Sequence, residues 1–439
     1  MIATELHPVL QGSAYRAYVY AYPHKTAYRP FTPKPLREVW RDEARTGLFL
    51  YVHVPFCTMR CGFCNLFTTA NPKQNLVAFY LDALRRQAEA VRDAIPDARF
   101  ARFAIGGGTP TFLSESELGE VFDIAEQVMG VNPHAVSVGV ETSPDTLTAE
   151  KVSLLKSRAV DRVSIGVQSF IEAEAANSGR PQSRADVDTA LSLLTRANFP
   201  TLNLDLIYGL PGQTVETWLY SLREALRYEP EELYLYPLYV RPLTGLGRSH
   251  KAWDDTRLAC YREGRDVLLA SGYDQVSMRM FRRGVSPPVV PNYCCQEDGM
   301  IGLGCGARSY TRSLHYSLDY AVQPKSVKEI IADYLSRTRD ELQTADHGFA
   351  LDRDEQQRRY LIQSILNVEG LDVSHYTARF GTEAVDDFPA SHAFAEAGLL
   401  AFGAGRWVPT PLGLERSDAL GPWFFSARVR ALMAEYEAK

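Results

Sequence analysis

Between residues 48 and 245 the chain alternates two kinds of hydrophobic pattern. "GLFLYVHVPF", "ARFAIGGGTPTF", "AVSVGVETSP", "RVSIGVQSF", "TLNLDLIYGLP" and "ELYLYPLYV" read as strands. Between them lie stretches with apolar residues at helical spacing, such as "NLVAFYLDALRRQAEAVRDAI", "ESELGEVFDIAEQVM" and "SRADVDTALSLLTRA". Six strands with intervening helices predict parallel βα units and an α/β fold. The regular repeat and right-handed crossovers point to a partial (β/α)6 barrel of the TIM type.

The flanking segments carry other patterns. Residues 1–47 hold "YRAYVYAYPHKTAYRPFTPKPL", a lead-in with too few periodic apolar positions for a core of its own. Residues 48–245 form the barrel. Residues 246–349 form a mixed extension with a second glycine-rich segment, "GMIGLGCGARSYT". Residues 350–439 begin with the helical "DEQQRRYLIQSILNV" and run to the hairpin-like "AGLLAFGAGRWVPTPLG". That order predicts a helical, winged-helix-like cap, an arrangement that does not by itself license DNA binding.

In βα folds the chemistry collects at the C-terminal ends of the strands. The unusual residues of this chain fall there. Cys57, Cys61 and Cys64 follow the first strand, Gly106, Gly107, Gly108 and Thr109 the second, and Glu141, Gln168 and Asp205 the next three. Glycines let a ligand approach the backbone closely, and an ionised glutamate accepts from a ribose diol or an ammonium group. Singly, each polar residue could simply bond a neighbouring loop. Their common placement argues for a site.

Seven cysteines, at 57, 61, 64, 260, 294, 295 and 305, make an odd count with three clustered, unlike a secreted disulfide framework. A structural zinc ion wants four ligands, whereas "CTMRCGFC" offers three. A [4Fe–4S] cluster accounts for three: each thiolate holds one iron, and the fourth iron stays open to a ligand. Phe63, just before the last cysteine, would shield the cluster from water.

Composition sets the outer limits. With 439 residues, 46% hydrophobic and 23% charged, the chain can bury a large core. A net charge of −6 argues against a general nucleic-acid or membrane-surface binder. The opening residues lack a charged start followed by an apolar stretch, so a cytoplasmic protein is expected.

The C-x3-C-x2-C spacing after a first strand, followed by "GGGTP" after the second, resembles the signature of the radical S-adenosylmethionine (SAM) superfamily. That resemblance implies SAM on the open iron, cleaved by the reduced cluster to methionine and a 5'-deoxyadenosyl radical. "YVHVPFCTMRCGFC", "GGGTPT", "VQSF", "LNLDLIYGLPGQT" and "GLGCGARSY" are together similar to the oxygen-independent coproporphyrinogen III oxidase family. The family implies two SAM molecules in the barrel. Tyr51, Phe63, Gly107 and Glu141 would contact the cluster-bound one. Gly108, Thr109, Gln168, Arg180 and Asp205 would contact the second, with Gln296 nearby, and Tyr239 falls near a further SAM-contacting position. A small-molecule substrate and an electron donor such as flavodoxin or ferredoxin follow, with no nucleic-acid or membrane partner.

The resemblance implies three functions: oxidative decarboxylation of coproporphyrinogen III, haem carriage, or class C methylation and cyclopropanation of an unsaturated carbon. The oxidases usually carry a further cysteine two residues after the triad, where this chain has Leu66. The carriers have an H-N-x-x-Y-W motif where this chain reads "PNYCCQEDG". With the second-SAM positions retained, one-carbon transfer to a small planar natural product is the sequence expectation. Arg279, Arg282 and Arg283, which could serve propionates, are expected on a solvated face, and Met278 and Met280 in packing.

Overall fold

The computed structural model describes residues 2–19, 21–73, 75–241, 243–249, 255–284 and 299–436. Its centre is six parallel strands in sequence order: β1 (Leu48–Val54), β2 (Phe100–Gly107), β3 (Ser137–Thr142), β4 (Arg162–Gln168), β5 (Thr201–Tyr208) and β6 (Glu232–Pro237). A seventh, β7 (Met300–Leu303), comes from the extension and pairs in parallel with β1, Leu303 opposite Val52. The parallel layer is therefore one strand wider than the six expected.

The crossover helices start where their sequences say. Ser114, Thr148, Ser183 and Thr214 each accept a backbone N–H through the side chain at a helix start, and Ser114 with Glu117 completes a capping box. Alternation then sorts each strand. On β4, Val163, Ile165 and Val167 are buried against the helices, and Arg162, Ser164, Gly166 and Gln168 point the other way. Arg162 reaches across β5 to Glu232 on β6 at 2.8 Å. That shared face is the lumen of a partial barrel.

Both edges of the parallel layer continue antiparallel. Met280–Arg283 pairs with β6 and with Tyr273–Gln275. Beyond β7 come Arg308–Tyr310, Leu314–Ser317, Thr344–Ala350 and finally Arg29–Pro35. The lead-in thus has more structure than its sequence pattern predicts, with a helix over Ile2–Leu10 and an edge strand. It lacks a core of its own: Leu6, Val9, Tyr22, Ala27 and Tyr28 complete one with the C-terminal residues. There, helices Arg353–Ile365 and Val373–Phe380 precede a hairpin of Leu400–Gly403 and Arg406–Pro409, joined by Leu371–Asp372, which is the winged-helix-like arrangement expected. No helix among the described residues is long and apolar enough to cross a membrane.

Candidate active site

The cysteine loop leaves the end of β1 and is tied down along its length. Cys64 N–H donates to Cys61 O at 3.0 Å, and Gly62 N–H to Ser178 O at 3.0 Å. Leu246 N–H donates in turn to Gly62 O at 2.8 Å. A Cβ on Gly62 would stand 2.5 Å from Ser178 O, so only glycine lets the loop lie this close. Phe63 packs beside Ile207, Leu210 and Leu238 at the ends of β5 and β6.

The three thiols have partners suited to thiolates. Thr109 Oγ1 donates to Cys57 Sγ at 3.7 Å, Arg180 Nη1 to Cys61 Sγ at 3.4 Å, and Cys64 Sγ lies 3.8 Å from Thr68 Oγ1. Burial pushes Cys57 up to about 12 and raises Cys64, and the neighbouring thiols add to both shifts. Cys57 and Cys64 therefore stay protonated until a positive centre draws the protons off. Among the described residues no three His, Cys, Asp or Glu side chains converge on a single ion. A cube of iron and sulfur needs thiolates one per iron, and three thiols on one loop fit that.

The glycine turn at the end of β2 closes over the loop. Gly108 N–H donates to Val54 O at 2.7 Å, and a Cβ there would sit 3.0 Å from Cys57 Sγ. Gly107 has φ +116°, and its N–H donates to Glu141 Oε2 at 3.0 Å. Behind it lies His53, which donates through Nε2 to Phe67 O at 2.9 Å. That leaves Nδ1 to accept from Tyr51 Oη at 3.4 Å. Burial lowers His53 to about 4, keeping it neutral.

Two carboxyls face the lumen. Glu141, on β3, is surrounded by protein yet open to lumen water; burial raises it, against the Gly107 amide and Arg162. Asp205 lies in mid-strand on β5, three residues before the end, rather than at the end itself. Burial pushes it up to about 7, the Asn203 amide and Arg162 pull it down, and Glu141 and Glu232 push it further up. Gln168 occupies a register shift of β4 at φ +68°, a bulge that re-aims its side chain. Arg180 holds the rim through Gly166 O at 2.8 Å and Ser143 Oγ at 3.0 Å.

The structure brings Gly108, Thr109 and Arg180 against the cysteine loop and sets Phe63 within it. Gly107 and Glu141 join in the adjoining turn, Tyr51 reaches His53 behind it, and Gln168 and Asp205 lie on the lumen face of β4 and β5. Tyr239 is placed otherwise: its hydroxyl donates to Asp418 of the cap. Cys294, Cys295 and Gln296 lie outside the described residues. Arg279 corrects an expectation. It is 7% exposed, ion-paired with Asp418, and stacked 4.0 Å over Tyr18. Arg282 pairs with Glu232 at 2.7 Å, and Arg283 is exposed. Met278 is buried, as expected. Sequence reasoning missed the Arg162–Glu232 pair, although Arg162 shares the inward period of Gln168. Nothing in the sequence pointed to Asp418.

A family model described as the radical SAM superfamily matches residues 51–225, and one described as the HemN C-terminal domain matches residues 351–415. The haem chaperone HemW of Bacillus subtilis is 32% identical over 272 residues, 59% of this chain and 70% of the relative. The chain belongs to the HemN-like family of radical SAM proteins. The oxygen-independent coproporphyrinogen III oxidase of Escherichia coli is 26% identical over 337 residues, 73% of this chain and 71% of the relative. The solved structure of the Escherichia coli coproporphyrinogen III oxidase HemN shares the fold, with TM-score 0.79 and 22% identity over 93% of this chain and 96% of that one. Radical SAM membership implies a [4Fe–4S] cluster and SAM.

Proposed function

We propose that this HemN-like protein is an enzyme that cleaves SAM on a cluster held by Cys57, Cys61 and Cys64 and decarboxylates propionate side chains of a tetrapyrrole, as an oxygen-independent coproporphyrinogen III oxidase does. The observation that carries the reading is the pair of separate lumen carboxyls. Glu141 serves the Gly107 turn beside the cysteine loop, and Asp205 stands two strands away, past β4 with its Gln168. Each is an acceptor for an ammonium or ribose group, so two SAM molecules have two places to sit. Tyr51 and Phe63 belong to the first place, Gly108, Thr109, Gln168, Arg180 and Gln296 to the second, and an electron arrives from a flavodoxin- or ferredoxin-like donor. The division at residues 47, 245 and 349 belongs to the same reading, with the barrel as catalytic body.

The one-carbon transfer expected from the sequence is set aside, because the relatives named above are a haem chaperone and a coproporphyrinogen oxidase. Haem carriage without turnover is a second reading, favoured by the HemW relatives and by Leu66 in place of an oxidase cysteine. Anaerobic assay separates the two. Reduced, reconstituted protein with SAM and coproporphyrinogen III should release 5'-deoxyadenosine and carbon dioxide, and Cys57→Ala, Cys61→Ala and Cys64→Ala should each release neither. Tight haem binding without SAM cleavage would replace the oxidase reading with carriage. S-adenosylhomocysteine among the products would reinstate methyl transfer.

A further inference from the structure

Lys25 is a buried cation that the chemistry above leaves unused. It lies in "PHKTAY" of the lead-in, 8% exposed, and its ammonium donates to Gly306 O. Among the described residues no Asp or Glu side chain lies within ion-pair distance of it. The charged side chain that acts on it most is another cation, Arg308. Burial first and Arg308 second bring the lysine down to about 7, and the neighbouring His24, pressed by burial and by Arg308, Arg241 and Lys25, falls to about 3. A protein normally gives a buried ammonium a carboxylate of its own.

The location ties this cluster to the active site by contact. A Cβ on Gly306 would stand 2.7 Å from the His53 ring, and one on Gly107 2.6 Å from the other side of the same ring. On its second flank Lys25 stands 5.6 Å over the Tyr320 ring, whose hydroxyl donates at 2.6 Å to the carbonyl of Asn65, the residue after Cys64. Lys25 therefore sits between the end of the cysteine loop and the imidazole behind the glycine turn. Uncompensated burial of an ammonium is costly, and an incoming anion would offset that cost.

We propose that Lys25 seats a carboxylate of the substrate between the end of the cysteine loop and His53. The proposal deepens the tetrapyrrole reading and rests on it, since propionates are the carboxylates that such a substrate offers. An ammonium bonded to one carbonyl has two further N–H donors for a carboxylate, and charge-assisted bonds of this kind are among the stronger polar contacts.

Two measurements test it, each on the full-length cluster-loaded protein. Coproporphyrin III binding, followed by its visible absorbance, should weaken at least about tenfold in Lys25→Met, roughly one charge-assisted bond, and Lys25→Arg should restore most of it. Lys25→Gln takes the place of Lys25→Met if the latter fails to fold. Separately, sodium propionate should raise the Tm of wild type and not of Lys25→Met, and propionamide should raise neither. Propionate that stabilises both proteins alike, or neither, overturns the carboxylate seat. Unchanged coproporphyrin affinity in Lys25→Met overturns it as well. A Lys25-dependent response to propionate in a protein that does not bind coproporphyrin III keeps the seat and removes the tetrapyrrole reading.

Discussion

Gly107 concentrates three demands in one residue. Its φ of +116° is one that L side chains rarely adopt, its missing Cβ makes room for His53, and its N–H serves Glu141. Gly107→Ala should cost about 1–3 kcal/mol in backbone strain, with more from displacing the His53 ring, measured by denaturant unfolding. SAM affinity should fall with it, because the amide would no longer aim at Glu141. Asp205 gives a pH signature instead. Its folded pKa of about 7 stands above an unfolded value near about 3.9. Between these two values the unfolded chain has lost a proton that the folded chain still holds, so stability falls as pH rises. Below about 4 and above about 7 the contribution is flat. The full swing is at most about 4 kcal/mol, and lumen water screens part of it. Asp205→Asn keeps an oxygen for Asn203 Nδ2, which donates at 2.8 Å, and removes the titration. The variant should gain stability over wild type between pH 5 and pH 8 in SAM-free protein; parallel profiles for the two would refute the assignment.

Arg279, on the approach to Met280–Arg283, meets Asp418 of helix Ser417–Trp423, and Tyr239, just past β6, donates to the same carboxylate. Asp418 is 1% exposed, so three polar groups from three elements form one buried knot between cap and barrel. Removing a single partner of a buried pair strands a charge, at about 3–5 kcal/mol. Asp418→Asn should approach that loss in urea unfolding. The double variant Asp418→Leu with Arg279→Met should recover most of it, and additive losses would disprove the coupling. This knot also marks how far the sequence could be read. Strands β1–β6 and their helices follow from local periodicity, and the cysteine loop and glycine turn from local spacing. Tyr239 and Asp418 are 179 residues apart, and no local pattern carries a contact of that span. Arg279 reads as a surface residue because it shares the short stretch "MRMFRR" with Arg282 and Arg283, and only the fold separates it from them. β7 was hidden because four residues, "MIGL", are too short to show a period.

At the scale of the whole molecule the lead-in is a strap. The barrel core draws from it Ala14, Tyr15, Leu36 and Trp40, whereas the C-terminal core draws Leu6, Val9, Tyr22, Ala27 and Tyr28. Fully burying a Leu or Val is worth about 1.5–3 kcal/mol, and polar ties add to the packing. Tyr22 Oη donates to Glu355 and accepts from Ser426 N–H at 3.2 Å, Ala17 N–H donates to Asp418 O at 3.1 Å, and Arg416 Nη1 donates to Gly12 O at 2.7 Å. The same strap carries Tyr18 to within 6.2 Å of Tyr236 on the lumen face, and Lys25 to the cysteine loop's end. Cap and barrel mouth thus depend on one segment, and its loss should affect them unequally. Deleting residues 1–28 leaves strand Arg29–Pro35 on the sheet edge and uncovers the cap's apolar face. The truncated protein should unfold in two thermal steps, the first well below the wild-type Tm, with rapid proteolysis inside residues 350–436. Iron–sulfur absorbance should survive the first step and disappear with the second, because Thr109 holds Cys57, Arg180 holds Cys61, Thr68 lies beside Cys64 and Ser178 anchors Gly62 between them, none of these being in the strap. A single transition at the wild-type temperature would show that the cap stands without its lead-in.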